Sequence, residues 1–456
     1  MAQTGSHFRK PQGTLQMTQG SSQSRALPVP SSRVARLGRL GSMTAGVAGN
    51  MALNGMAELG RGRRPSFRNL LITPANMTRV ADQLAKMRGA AMKVGQLVSM
   101  DTGEVLPPEL AEIMARLRAD AHFMPPGQLK KVLNDNWQEN WLRSFKKFDV
   151  RPIAAASIGQ VHRAQLKDGR DLAIKVQYPG VAKSIDSDVA NVGALIRMSG
   201  LLSKGFELAP YLEEARQQLH DETRYQLEGQ YLSEFEGLLA GDDRFALPSL
   251  QEDWTTHGIL AMTFVSGVPI EDTRNLPQDE RDRIAYDLID LLLQELFSFG
   301  LMQTDPNFAN YRYNPETQKI VLLDFGATRR IDKMIARQYR DLMRAGLRRD
   351  MDALGEIAHQ IGFFDGETTQ RHRDSILEMM RLVFEALDTD RPFDFTQTEL
   401  SRRLQQQGMQ LAEDGFVLPP LPIDVLFLQR KFGGIFLLAS KLGAKVDLRG
   451  LLGRYL

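Results

Sequence analysis

The chain has 456 residues, 43% of them apolar, enough for two or three domains of roughly 150 residues with a sizeable core. Its 57 Lys and Arg nearly balance 55 Asp and Glu, and the net charge of +2 gives no global reason to expect a nucleic-acid partner. With no cysteine, it has no disulfide, thiolate zinc site, iron–sulfur cluster or cysteine nucleophile. The longest apolar run, Gly433 to Ala439 between Arg430/Lys431 and Lys441, is far below the ~18 residues of a spanning helix.

Charge is concentrated at the start. Residues 1–70 carry ten basic side chains and one acid, Glu58. The first third of this segment, rich in Ser, Gln, Gly and Pro, is predicted to be a disordered tail. Met43, Val47, Met51, Met56 and Leu59, flanked by arginines, suit a helix on an anionic membrane surface. A solvated tail and an organelle transit peptide are the alternatives.

From Thr73 the pattern is helical. Val80, Leu84, Met87, Ala91, Val94 and Val98 recur three or four apart, on one face of a helix that carries Lys93-Val94-Gly95-Gln96. Thr102-Gly103 ends it, Leu106-Pro107-Pro108-Glu109 opens another to about Arg118, and Pro125-Pro126 is expected to close that one. After Phe148 the periodicity changes. Ile153 to Gln160 is a small-residue loop, Val161, Arg163 and Gln165 alternate along a strand, Asp168-Gly169 turns, and Leu172 to Val176 is an apolar strand. Lys175 near the end of that strand needs an anionic partner, and Glu228, in the helical stretch Tyr211 to Phe235, is the best candidate.

Gly258 to Val265 forms another apolar strand, and a long buried helix starts at Pro277 and stops at Gly300. Then come Gln303-Thr304-Asp305-Pro306-Asn307-Phe308-Ala309-Asn310, a hairpin from Tyr311 to Lys319, and Ile320 to Gly326 ending in Asp324-Phe325-Gly326. A nucleoside triphosphate requires divalent cations, which prefer hard oxygen ligands. An Asp, an Asn five residues later and an Asp-Phe-Gly on an apolar strand supply the set for phosphoryl transfer: one carboxylate near the attacking oxygen, an amide and a carboxylate for magnesium. ATP and Mg2+ are therefore the expected cofactors.

Lys93-x-Gly95-Gln96, the loop Ala154-Ala155-Ala156-Ser157, Gln303-Thr304-Asp305-Pro306 to Asn310, and Leu323 to Arg329 resemble the UbiB/AarF atypical kinase-like family, from about Leu71 to the C-terminus. The Gln-Thr-Asp-Pro-Asn loop is closest to the ubiquinone-biosynthesis branch. The resemblance implies an α+β, two-lobed protein-kinase-like fold. It divides the chain into a basic tail (1–70), an N-terminal helical extension packed over the active site (71–140), a small lobe (141–265) and a large lobe with a helical C-terminal extension (266–456). It also implies Asp305 as catalytic carboxylate, Lys175 on the phosphates paired to Glu228, and Asn310 and Asp324 on magnesium. Ala154, Ala155, Ala156, Ser157, Met262 and Val265 are then assigned to the nucleotide, and Lys93, Gly95, Gln96 and Glu222 to a gate.

The triplet Glu222-Thr223-Arg224 departs from the family's Glu-x-Asp; the arginine is expected to unsettle the gating network unless it points to solvent. The implied activity is a magnesium-dependent ATPase or small-molecule kinase supporting ubiquinone biosynthesis at a membrane surface, with ordinary protein phosphorylation disfavoured. A nucleotide-switched scaffold or lipid chaperone is the alternative. Its implied partners are ATP/ADP, a membrane lipid or polyprenyl-phenol quinone precursor and quinone-biosynthesis enzymes, with no nucleic acid. The implied setting is peripheral, on a bacterial inner membrane or on the matrix side of the mitochondrial one.

After Arg330 the chain reads as helical. Ile335, Tyr339 and Leu342 form one stripe, and Ile376, Met380, Val383 and Leu387 form another. The methionines read as core filler, His162 and His220 as structural, and Arg344, Arg348 and Arg349 as a solvated face.

Overall fold

The structure, a computed structural model, describes residues 84, 87–101, 123–199, 208–419 and 421–456. The basic tail, Val80 and the helix expected from Leu106 to Arg118 lie outside the described residues.

The first described helix, α1 (Arg88–Asp101), is followed by α2 (Pro126–Trp137). Pro125 and Pro126 open α2 as N-cap and first-turn residue, where a missing N–H costs nothing. The strands β1 (Phe145–Phe148), β2 (Ala154–Ala155), β3 (Gly159–Leu166) and β4 (Asp171–Gln177) come next. Then α3 (Val181–Ser199), α4 (Ala209–Glu222) and α5 (Tyr225–Leu238) lead to β5 (Phe245–Ala246) and β6 (Ile259–Thr263). The helical stretch predicted around Glu228 is thus two helices, broken at Thr223-Arg224, where Arg224 leaves helical geometry at ψ 72°.

The small-lobe sheet runs β1-β3-β4-β6, with β2 added on β3, and every pairing is antiparallel. Gly169, at φ 100°, makes the β3–β4 turn, a conformation that favours glycine. Alternation along β4 sends Leu172, Ile174 and Val176 into a core with Leu129, Val132 and Leu133 of α2 and with Trp141 and Phe145. Ala173 and Lys175 consequently point to the opposite face. His162 is fully buried: its Nδ1 donates to the Asp149 carbonyl at 2.8 Å, so Nε2 accepts from Gln160 Nε2 at 2.9 Å. Burial depresses its pKa, in keeping with a structural residue.

The large lobe starts with β7 (Val268–Pro269) and α6 (Gln278–Gln294), which continues through a π turn, Glu295–Phe299, to Gly300 at φ 61°. Next are β8 (Leu301–Gln303), β9 (Tyr311–Asn314), β10 (Lys319–Leu322) and β11 (Thr328–Arg330). The hairpin β9–β10 takes β5 in parallel on one side and β7 on the other, while β11 pairs with β8. The remaining elements are α7 (Lys333–Leu347), α8 (Met351–Ile361), α9 (Gln370–Leu387), β12 (Phe393–Asp394), α10 (Glu399–Glu413), α11 (Ile423–Leu442), β13 (Lys445–Val446) and α12 (Leu448–Gly453).

Tyr339 and Leu342 are buried in the core of these helices, with Ile335, Ile376, Met380 and Leu387 packed against it. Arg344, Arg348 and Arg349 are exposed, as expected. Ala91, Val94 and Leu97 of α1 join the core shared by Val189 and Val192 of α3 and Ala215 and Leu219 of α4. This packing seats α1 beside the cleft between the lobes. Among the described residues no helix is long and apolar enough to cross a membrane.

Candidate active site

Lys175 leaves β4 on the cleft side and meets Glu228 in the first turn of α5, where a carboxylate is favoured by the helix dipole. Its Nζ donates to Glu228 Oε1 at 2.7 Å and Oε2 at 2.9 Å, and lies 3.3 Å from Asp324 Oδ2. Burial disfavours the ammonium, but Asp324, Glu228 and Tyr225 outweigh it and hold Lys175 well above the usual lysine value. Burial pushes Glu228 up to about 7, against the pull of Lys175 and with Asp324 adding to the rise. For Asp324 burial is again the largest influence, yet Lys175 and the Gly326 N–H together leave it below the usual carboxylate value. Phe325 is buried against Phe235 of α5, ring centres 5.1 Å apart, so Asp-Phe-Gly packs directly on the Glu228 helix.

The other polar groups arrive on the loop after β8. Thr304 fixes its start, its N–H and Oγ1 both donating to the Ala327 carbonyl at 3.0 and 2.7 Å. Asn307 caps the short turn Phe308–Asn310 by accepting from Ala309 N–H. Asn310 Nδ2 donates to the Asp305 carbonyl at 3.1 Å, leaving its Oδ1 as the atom available to a cation, and Leu323 N–H donates to the Asn310 carbonyl at 3.1 Å. That last bond joins the loop to the strand leading into Asp324. Lys175, Asp305, Asn310 and Asp324 line the same cleft, with Glu228 buried behind Lys175.

Helix α11 contributes contacts that its sequence does not signal. Arg430 Nη2 donates to Asp305 Oδ1 at 2.6 Å. The next residue, Lys431, is 2% exposed; its Nζ donates to the Gln303 carbonyl at 2.7 Å and Tyr311 Oη at 3.0 Å and lies 3.2 Å from Glu295 Oε2. One turn on, Gly434 lies so close to the loop that a Cβ there would stand 2.3 Å from Pro306 Cβ. Two charges that border the apolar run and a glycine within it thus bolt α11 onto positions 303 to 306. Arg329 adds a further tie, with Nη1 2.9 Å from Glu214 Oε1 on α4 and Nε 3.3 Å from Asp424 Oδ1 on α11.

At the mouth of the cleft, Lys93 of α1 places Nζ 2.5 Å from Glu222 Oε1, while Ser157 Oγ donates to Glu222 Oε2 at 2.5 Å. One carboxylate at the end of α4 therefore holds both α1 and the alanine loop. Gly89 permits this approach, since a Cβ there would sit 3.0 Å from the Ser157 carbonyl oxygen. Gly95 is buried in α1, and Gln96 lines the cleft. Arg224, expected to disturb this network, is 59% exposed at its side chain and pairs with Asp221 at 2.5 Å, so the departure leaves the Lys93–Glu222 pair intact.

The cleft has a volume of about 1330 Å³, and Ala154, Ala155, Ala156, Ser157, Met262 and Val265 form part of its wall. No group of three or more His, Asp or Glu among the described residues could by itself hold a metal. One carboxylate and one amide are the protein share expected when phosphate oxygens and water complete a magnesium shell, so Asp324 and Asn310 fit such an ion.

A family model described as the ABC1 atypical kinase-like domain matches residues 116–358. The "Atypical kinase COQ8, mitochondrial" of Saccharomyces cerevisiae is 39% identical over 92% of this chain and 83% of its own length. The "Atypical kinase COQ8B, mitochondrial" of Rattus norvegicus is 35% identical over 94% of this chain and 82% of its own. Among solved structures, the Rv3197–erythromycin complex of Mycobacterium tuberculosis superposes with a TM-score of 0.60, at 24% identity over 84% of this chain and 97% of that one, a likeness of fold.

Proposed function

This chain belongs to the ABC1 atypical kinase-like family, the UbiB/AarF proteins, with their α+β protein-kinase-like fold, and from that premise we propose that it is a magnesium-dependent ATPase or small-molecule phosphotransferase supporting ubiquinone biosynthesis. The observation that carries the reading is the buried Lys175–Glu228 pair within 3.3 Å of Asp324. A pure binding scaffold has no chemical need for Asp305 in the same cleft.

In this reading Lys175 grips the α- and β-phosphates and Glu228 orients it. Asn310 and Asp324 hold Mg2+, which when bound neutralises charge on the transferring phosphoryl group. Asp305 orients the attacking hydroxyl or water and takes up its proton. The alanine loop cradles the phosphates, while Met262 and Val265 pack against the base. The segments 71–140, 141–265 and 266–456 act as gating extension, small lobe and large lobe. Lys93, Gly95, Gln96 and Glu222 close the side on which a peptide would lie, so a small or lipid-borne acceptor such as a polyprenyl phenol is preferred to a protein.

The mitochondrial setting in the relatives' names favours the matrix face of the inner membrane over a bacterial one, with peripheral contact made by the basic tail and quinone-biosynthesis enzymes as neighbours. The scaffold alternative draws on Arg430, which engages one oxygen of Asp305. Phosphate release from ATP by the full chain, with vesicles of anionic lipid and a ubiquinone-like phenol, separates the two. Release that vanishes in Asp324→Asn supports the enzyme; ATP binding with no release supports the scaffold.

A further inference from the structure

A small void of about 10 Å³, which shares Asn310, Leu323 and Asp324 with the large cleft, lies among α5, α6 and the loop after β8. Glu295, Gln303, Tyr311, Phe325 and Lys431 are among its walls. Of the polar atoms on these residues, Gln303 Nε2 is buried without a hydrogen-bond partner among the described residues, while Glu295 Oε2, 3.2 Å from the Lys431 ammonium, keeps capacity to accept a second hydrogen bond. Gln303 is 7% exposed and Glu295 1% exposed, so bulk solvent cannot satisfy either. An orphaned buried polar group costs about 1–3 kcal/mol, and proteins meet that cost with a partner or an internal water.

The orientation of the Gln303 amide is fixed by chemistry. Lys431 Nζ, which can only donate, lies 3.3 Å from Gln303 Oε1; exchanging the amide's oxygen and nitrogen would set two donors against each other. Nε2 must therefore be the atom turned elsewhere, with a hydrogen to give. Glu295 already spends Oε1 on Gln303 N–H at 3.3 Å, which leaves Oε2 as the acceptor. A donor and an acceptor thus border a space that fits the roughly 10–15 Å³ one water requires.

We propose that this void is a site for one ordered water molecule, accepting from Gln303 Nε2 and donating to Glu295 Oε2. The water completes a cluster with Lys431 that braces the loop from Gln303 to Asn310. Glu295 opens the π turn that ends α6, and its contact with the Gln303 N–H ties that turn to β8. Gln303 and Glu295 act here as positioning residues for the loop.

The test is a crystal structure of the full chain at a resolution that shows ordered waters, joined to water-proton relaxation dispersion, which counts long-lived internal waters. A density peak within about 2.7–3.2 Å of both Gln303 Nε2 and Glu295 Oε2 is expected. In Gln303→Met, of similar length but with no donor, that peak and one long-lived water should disappear together. A dry void in the wild-type crystal, or a wild-type side-chain arrangement in which Gln303 Nε2 meets a protein oxygen directly, overturns the proposal whether or not the variant folds. The readout needs no turnover, so it stands apart from the success or failure of the ATPase reading.

Discussion

Arg430 on α11 donates a hydrogen bond of 2.6 Å to Asp305 on the loop after β8, across 125 residues of sequence, with side-chain exposures of only 15% and 19%. A guanidinium on one carboxylate oxygen fixes that group's rotation while leaving the other oxygen to the cleft. Arg430→Gln removes the charge and frees Asp305 to turn. A hydrogen bond to a charged group is worth about 1.5–3 kcal/mol, so unfolding by denaturant should show a loss in that range or somewhat less. ATP turnover should fall by about tenfold or more with a smaller change in KM, and Arg430→Lys should restore part of it. A faster Arg430→Gln enzyme would mean that the arginine restrains Asp305 rather than aiming it.

Adjacent glycines of α11 should behave oppositely. A Cβ on Gly434 would lie 2.3 and 2.5 Å from Pro306 Cβ and Cγ, and a proline ring cannot swing aside, whereas nothing lies within 4 Å of a Cβ on Gly433. Gly434→Ala should cost about 1–3 kcal/mol and displace the loop carrying Asp305. Gly433→Ala should be neutral or stabilising by up to about 1 kcal/mol, because alanine is the better helix former. Melting temperatures of the two variants decide this; equal values would contradict the close packing of α11 on Pro306.

The raised pKa of Glu228 sets a pH dependence of stability. Its folded value of about 7 lies above the 4.5 of an exposed glutamate, so the native chain holds a proton that the unfolded chain releases. The stabilisation from that proton is fully present below about pH 4.5 and is lost as pH rises through about 7. Glu228→Gln keeps the shape without titrating. Denaturation of both proteins from about pH 4 to about pH 8 should show the wild type losing ground to the variant through this window. Parallel curves would contradict the buried, proton-binding state.

Lys93, 5% exposed, has its ammonium on Glu222, which also accepts from Ser157. Lys93→Met should loosen α1 from the alanine loop while keeping the aliphatic stem in its core. Amide exchange in α1 should quicken by about tenfold or more, equivalent to about 1.4 kcal/mol of local opening. Unchanged exchange would show that apolar packing of α1 on α3 and α4 alone holds α1 in place.

The legible part of this molecule is the part where spacing carries chemistry. Lys175 stood out because a lysine on an apolar strand needs an anion, and Glu228 supplies it at 2.7 Å. Lys93 and Glu222 were legible through the motifs around them. Arg430, Lys431 and Gly434 were not: on the sequence the two charges border an apolar run and the glycine lies within it, and only the approach of α11 to Pro306 gives them a role. The break between α4 and α5 was also hidden, since Thr223-Arg224 contains neither Gly nor Pro and the residues on both sides continue a helical pattern. Arg224 takes the solvent-facing alternative, which the sequence could not decide because a motif position states which residue is present but not which way a side chain at a helix break turns.

The most direct test of the account is titration calorimetry of ATP into the full-length protein with Mg2+ and with the metal chelated, for the wild type and Asp324→Asn. The account predicts that wild-type affinity rises with Mg2+ and that Asp324→Asn loses most of this gain while still binding nucleotide through Lys175. Identical metal dependence in the two proteins, or no ATP binding by the wild type under either condition, would contradict it.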